Sequence, residues 1–103
     1  MIGFAISKNG VKIRLEENRW FHIVESHDYM SGLSTDVLDA IEEPDIIVKG
    51  KRSELISAAE FKGKHLIVIY KETTKQDGFV ITAFITSDIE RIKKKGVIWK
   101  KQS

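Results

Sequence analysis

Two apolar runs joined by a short polar loop constrain the fold of this 103-residue chain more than any other feature of its sequence. The runs are Leu66–Lys71 and Phe79–Thr86, and both are rich in the β-branched and aromatic residues that favour strands. The loop between them, Glu72–Gly78, closes with Asp-Gly, a pair typical of β-hairpin turns. Because this loop is too short for a crossover, we expect two antiparallel neighbours at the centre of a sheet.

The second run also predicts a sheet whose two faces differ. Side chains at alternate positions of a strand share one face, and the alternate residues from Phe79 onward are all apolar. We therefore expect that face to lie in the core and the other face to border solvent or a site. The expected core-facing residues are Phe79, Ile81, Ala83 and Ile85, and the expected outer residues are Val80, Thr82, Phe84 and Thr86.

The rest of the chain predicts helices and strands around that pair. An Asn-Gly turn predicts a hairpin of Ile2–Ser7 and Val11–Leu15. Apolar residues recur at helical spacing over Glu16–His27, and Ser34 or Thr35 is placed to cap a second helix. Helices early and antiparallel strands late indicate an α+β fold with the helices on one face of the sheet. The remaining predicted elements are strands at Asp45–Lys49, Glu54–Phe61 and Val97–Trp99, and a helix at Asp88–Ile92 capped by Ser87.

The composition indicates one globular domain over residues 1–103. Hydrophobic residues make up 42% of the chain and charged residues 31%, and this length leaves room for only one core. The absence of cysteine excludes disulfides and thiolate metal sites and is typical of a reducing compartment. No apolar run approaches the ~20 residues of a membrane helix, and the first residues lack the features of a signal peptide. We therefore expect a cytoplasmic protein with no membrane partner.

The net charge of +2 is small, but basic residues crowd a C-terminal tail that begins at about residue 91. A local basic patch suits a partner that carries phosphate groups. A solvated, lysine-rich chain end that keeps the protein soluble explains the same pattern equally well. The residues concerned are Arg91, Lys93, Lys94, Lys95, Lys100 and Lys101.

The segment Arg19–His27 holds the strongest candidates for chemistry, because His22, Glu25 and His27 lie on one amphipathic helix. Five residues turn a helix by about 140°, so His22 and His27 do not converge on one metal ion, and their spacing is not that of zinc-binding pairs. We expect neither a metal nor a cofactor. His27 continues the apolar stripe and should face the sheet, either as a proton-transfer group or as a half-buried histidine bonded to backbone. His22 is either its partner or a surface histidine paired with Glu25.

Cations and hydroxyls elsewhere provide candidates for binding a phosphate. Lys51 and Arg52 lie in the turn after the third predicted strand, where either could neutralise charge on a phosphate. An ordinary solvated turn explains them as well. Tyr70, Thr82 and Thr86 carry hydroxyls that could bond to a phosphate oxygen or a 2′-hydroxyl, or could simply be strand-forming residues.

Five short patterns, in this order, resemble one known family. They are W-x-H-I-x-x-x-H, a helix ending at Pro44-Asp45-Ile46-Ile47, L-I-V-I-Y-K, F-V-I-T-A-F and V-I-W, and together they span about Leu15 to Lys100. The chain is similar to the small phage and bacterial barnase–EndoU–colicin–RelE-like nucleases, known as PBECR domains. The resemblance implies a barnase/RelE-like α+β fold, with N-terminal helices on an antiparallel sheet of four to five strands. It also implies RNA cleavage without metal, often as a toxin, with an antitoxin or immunity protein as a further partner.

Matched by position, the helix histidines of that family fall on His22 and His27, its strand threonine on Thr82, and its basic turn near Lys51 and Arg52. The first hypothesis is therefore a metal-independent endoribonuclease. In it, the two histidines form the acid–base pair, Glu25 is a substitute base, and the cations stabilise the transition state. The alternative is a non-catalytic module that binds RNA or protein on the same fold. A cleft that holds histidine, cation and threonine together favours cleavage, whereas their scatter over the surface favours binding.

Overall fold

All of the strands predicted from the sequence pair into one seven-stranded sheet in the computed structural model, which describes residues 1–102. Three α-helices and one 3₁₀ turn accompany the sheet within those residues. The strands are β1 (Gly3–Ile6), β2 (Lys12–Leu15), β3 (Ile46–Lys49), β4 (Leu55–Phe61), β5 (Lys64–Glu72), β6 (Asp77–Thr86) and β7 (Val97–Lys100). The helices are α1 (Glu17–Ser26), α2 (Ser34–Glu42) and α3 (Ile89–Lys93), and the 3₁₀ turn is Asp28–Met30. Across the sheet the order is β1-β2-β6-β5-β4-β3-β7.

The sheet is mixed, so the expectation of an antiparallel sheet of four to five strands was wrong. β5 and β6 are antiparallel neighbours as predicted, but β2 pairs parallel to β6, with Ile13 opposite Gly78. This pairing adds the N-terminal hairpin to the sheet and leaves the side chains of Ile13 and Leu15 with no exposed surface. The apolar pattern of β2 showed that it must be buried, but it could not show against which strand.

One face of the sheet is covered by the two longer helices. Ile23 of α1 and Val37 and Ile41 of α2 pack there on Leu66 and Val68 of β5. Trp20 of α1 is only partly buried against this core. We call this side the helix-covered face.

The opposite face is covered in part by α3, and we call it the α3 face. Ile92 of α3 packs on Ile56 of β4 and Ile67 of β5 in a second apolar cluster, with Phe84 of β6 at its margin. The rest of this face is left to β6, β2 and β1. The α3 face therefore combines an apolar floor with an uncovered stretch of sheet. No helix of the described residues is long and apolar enough to cross a membrane.

The core-facing residues of β6 were assigned wrongly in the first half of the strand. A β-bulge opposite Ile69 and Tyr70 leaves Ile81 without a partner, so the alternation of faces shifts there. Val80 is consequently 1% exposed on the helix-covered face, whereas Phe79 lies on the α3 face. Beyond the bulge the prediction was correct: Ala83 faces the core, and Thr82, Phe84 and Thr86 lie on the α3 face opposite Ile69, Ile67 and His65.

Both helix caps predicted from the sequence were misplaced by a residue. α2 begins at Ser34 itself, follows Leu33, and has no side-chain cap. In α3 the cap is Asp88 rather than Ser87, because the Asp88 carboxylate accepts a hydrogen bond from the Arg91 backbone N–H at 3.2 Å.

Candidate nucleic-acid interface

Two adjoining grooves lie on the α3 face, on either side of α3. Their volumes are about 410 Å³ and 360 Å³, and they share Phe84, Ile92 and Lys95 as lining residues. We call the pair the twin groove. Lys51 and Arg52 line the first groove, and Thr86 and Arg91 line the second.

The rim of the twin groove is cationic. Lys51, Arg52, Arg91 and Lys95 are all exposed, and none of them forms an ion pair with another residue of the described part of the chain.

The two acidic groups at the groove are engaged by backbone. Glu54 accepts a hydrogen bond from the Arg52 N–H, which holds the pKa of this carboxyl below its ordinary value, and Asp88 caps α3. An anionic ligand therefore meets four cations against two carboxylates, a net positive charge over an apolar floor, which is the combination typical of nucleic-acid grooves.

His27 lies beside Phe84, a lining residue of the twin groove, although His27 itself lines neither half of it. Its ring centroid lies 6.1 Å from that of Phe84 and 5.5 Å from that of Tyr29. The position follows from the sheet: β2 pairs only with residues 77–79 of β6, so the later part of β6 keeps a free edge. The Ile85 N–H on that edge donates to the Tyr29 hydroxyl at 3.3 Å, which places the end of α1 beside the strand.

The helix ends just before His27. α1 closes at Ser26, and His27 has the extended backbone angles φ −138° and ψ 83°. Its N–H still donates to the Ile23 carbonyl at 2.8 Å. His27 is therefore half-buried against the sheet, as its place in the apolar stripe predicted.

His22 and Glu25 lie on the solvent side of α1. Their side chains are each 63% exposed, and 3.7 Å separates His22 Nδ1 from Glu25 Oε1. The surface pairing that the sequence offered as one explanation of His22 is thus present. The structure does not bring either residue to the twin groove.

The three candidate hydroxyls divide between the two faces. Thr82 and Thr86 lie on the α3 face, and Thr86 lines the twin groove, where its Oγ1 accepts a hydrogen bond from the Asp88 N–H at 3.1 Å. Tyr70 lies on the helix-covered face and is 1% exposed. Burial raises the pKa of its hydroxyl, and the side chain packs in the core away from the groove.

Three residues at this site were not singled out by the sequence. His65 was not among the predicted site residues, but it lies in β5 directly opposite Thr86, on the α3 face, and its Nδ1 is buried without a hydrogen-bond partner. Its spacing of two residues from Ile67 could have placed it on that face. The sequence marked Arg91 and Lys95 only as part of a basic tail, because it does not show how close these residues lie to the sheet.

Comparison of the chain with protein-family models, with curated proteins and with solved structures finds no match. The site must therefore be interpreted from its own geometry and chemistry. Among the described residues, no group of three or more histidine, aspartate or glutamate side chains is placed to hold a metal ion.

Proposed function

We propose that this chain is a metal-independent ribonuclease that binds RNA in the twin groove and uses His27 for proton transfer. The observation that supports it best is the position of His27, with its ring 6.1 Å from Phe84, the residue common to both halves of the cationic groove. A phosphate held by the rim cations would lie on the same side of β6 as Thr82 and Thr86. Thr86 and the cations Arg91 and Lys95 line one groove together with Phe84, and His27 lies beside Phe84.

The proposed reaction needs a general base and a source of positive charge, but it does not need a metal ion. Neutral His27 takes the proton of a ribose 2′-hydroxyl while that oxygen attacks the neighbouring phosphorus. The bond from phosphorus to the 5′-oxygen breaks, and this oxygen takes up a proton from solvent. The products are a 2′,3′-cyclic phosphate and a free 5′-hydroxyl. Arg91 and Lys95, on the rim nearest Thr86, stabilise the extra negative charge that develops on the phosphate.

His22, in α1, and His27, directly after α1, provide a matched pair of variants for the test. His27→Ala should reduce cleavage of a mixed RNA by about 100-fold, the usual scale for losing a general base. His22→Ala removes the same side chain from the exposed side of α1 and should leave the rate unchanged. Both are measured with EDTA present, which should not alter the wild-type rate. Full activity in the His27→Ala protein would refute the assignment.

The rim cations are tested by salt dependence. Lys51→Ala and Arg52→Ala should each weaken RNA binding and lower the slope of log affinity against log salt by about 1, as expected for one lost phosphate contact. Lys62→Ala is the control, because Lys62 lies over the Phe61 ring, outside the twin groove. An unchanged slope in both groove variants would contradict binding at this site.

A second candidate function is RNA binding without cleavage. It is favoured by the outward position of His22 and Glu25, which leaves His27 without either of its predicted proton-transfer partners. Binding of RNA by the wild-type protein, with no cleavage of structured or single-stranded RNA, would support this function over the nuclease.

A further inference from the structure

A row of alternating aromatic and cationic residues crosses the uncovered part of the α3 face. The strand registers place Phe4 of β1 opposite Arg14 of β2, Arg14 opposite Phe79 of β6, and Phe79 opposite Lys71 of β5. Neighbouring strands lie about 4.8 Å apart, so the row extends over about 14 Å. We call it the Phe4–Lys71 row.

The aromatic end of this row is open to solvent. Phe4 is 47% exposed, and the Lys12 Nζ lies 4.5 Å from the centroid of its ring. Phe79 is half-buried in the middle of the row. An exposed ring beside an ammonium group provides a flat stacking surface together with a charge that can pair with a phosphate.

The cations in the row, and Lys12 beside it, have different roles. Asp77 fixes the Arg14 guanidinium through bonds of 2.9 and 3.0 Å, from Nε and Nη2, and Glu16 also pairs with it. The positive charge of Arg14 is therefore already paired with two carboxylates, and its guanidinium group is held in place. Lys12 and Lys71 form no ion pair within the described residues, so their charges are available to an anionic ligand.

The row is continuous with the twin groove. Tyr70 is paired with Leu55, so Lys71 lies next to Glu54, and its charge helps to lower the pKa of the Glu54 carboxyl. Glu54 lines the first half of the twin groove. A chain that leaves the groove at this end therefore meets Lys71 first and Phe4 last.

We propose that the Phe4–Lys71 row is an accessory subsite for unpaired nucleotides that flank the one bound in the twin groove; this inference rests on the proposed function. Bases stack on exposed aromatic rings only when they are unstacked from one another, so the ligand is single-stranded RNA rather than a duplex. Phe4 lies beside Lys12, and Phe79 lies opposite Lys71. These two combinations of a ring with an ammonium group match the succession of bases and phosphates along such a strand.

The test uses fluorescence anisotropy with 2′-O-methyl oligouridylates of four and twelve nucleotides, which cannot be cleaved at the 2′-oxygen. Phe4→Ala should weaken binding of the twelve-nucleotide probe by about 10-fold, within the range for losing one base stack, and leave the four-nucleotide probe unchanged. Phe21→Ala is the matched control, since Phe21 is 63% exposed on α1, away from this face. It should alter neither affinity.

Equal affinity of the wild-type and Phe4→Ala proteins for the longer probe would overturn the subsite, even if cleavage depends on His27. Tighter binding of the longer probe by the wild-type protein, with the Phe4 effect but with no cleavage of unmodified RNA in a separate assay, would support the subsite and refute the nuclease. A dimer in sedimentation that Phe4→Ala dissociates, with no change in RNA affinity, would show that Phe4 contacts a second copy and would overturn the proposal.

Discussion

Gly78 is the residue at which the parallel pairing of β2 with β6 can be tested most directly. A Cβ built on Gly78 would lie 2.8 Å from the Ile13 Cδ1 and well under 3.0 Å from the Lys71 carbonyl oxygen. Lys71 belongs to β5 and is paired with Phe79 of β6, so its carbonyl cannot move away without disturbing that pairing. Gly78→Ala should therefore force β2, β6 and β5 apart.

Two opposing contributions decide whether Gly78→Ala stabilises or destabilises the fold. Replacing glycine with alanine restricts the unfolded chain and stabilises the fold by about 0.4–1 kcal/mol when the site accepts a methyl group. Overpacking a closed site costs about 1–3 kcal/mol, and more when the obstacle is backbone. Since Gly78 is buried and two of the three atoms nearest to the added Cβ are backbone atoms of β5, the cost prevails. We expect a net loss of about 2 kcal/mol.

Urea denaturation followed by tryptophan fluorescence measures this loss. With a slope of roughly 2 kcal/mol per molar for a domain of this size, the midpoint should fall by about 1 M. Gly50→Ala is the control, because its added Cβ meets only the Glu54 side chain, which can rotate away at the loss of one exposed hydrogen bond from the Arg52 N–H. Its midpoint should stay close to that of the wild type. Equal stability of the Gly78→Ala and Gly50→Ala proteins would contradict the close approach of β2 to β6.

Three further predictions concern pH and packing. Hydrogen bonds from Arg14 hold the pKa of Asp77 below its ordinary value. The stability that Asp77 contributes is therefore present near neutrality and is lost as the pH falls through that lowered pKa. Asp77→Asn should flatten the acid limb of a stability–pH curve below about pH 4. Burial raises the pKa of Tyr70, so its contribution is lost as the pH rises above about 10, and Tyr70→Phe should remove that alkaline loss in the same measurement. Trp20→Ala should cost about 2 kcal/mol in urea melts, rather than the roughly 3–5 kcal/mol of a fully buried aromatic, because Trp20 is only partly buried.

The candidate site was partly visible in the sequence. The apolar stripe of α1 correctly placed His27 toward the sheet, because helical periodicity is a local property. The same stripe could not show that His27 would lie beside Phe84, 57 positions further along the chain, since this needs the free edge of β6. The sequence did not mark His65, because its place at the site depends on its cross-strand neighbour Thr86.

The sequence by itself determined which segments become strands and helices, and that β5 and β6 are antiparallel neighbours. These features depend on side-chain alternation, on turn residues and on a loop length, all of which act over a few positions. Only the tertiary structure decided that β2 pairs parallel to β6 and that a bulge reverses the faces of Phe79 and Val80. It alone also assembled Lys51, Arg52, Arg91 and Lys95 around one groove. Each of these outcomes is chosen by packing between segments distant in the chain, where many pairings satisfy the local pattern and burial of the whole apolar surface selects one.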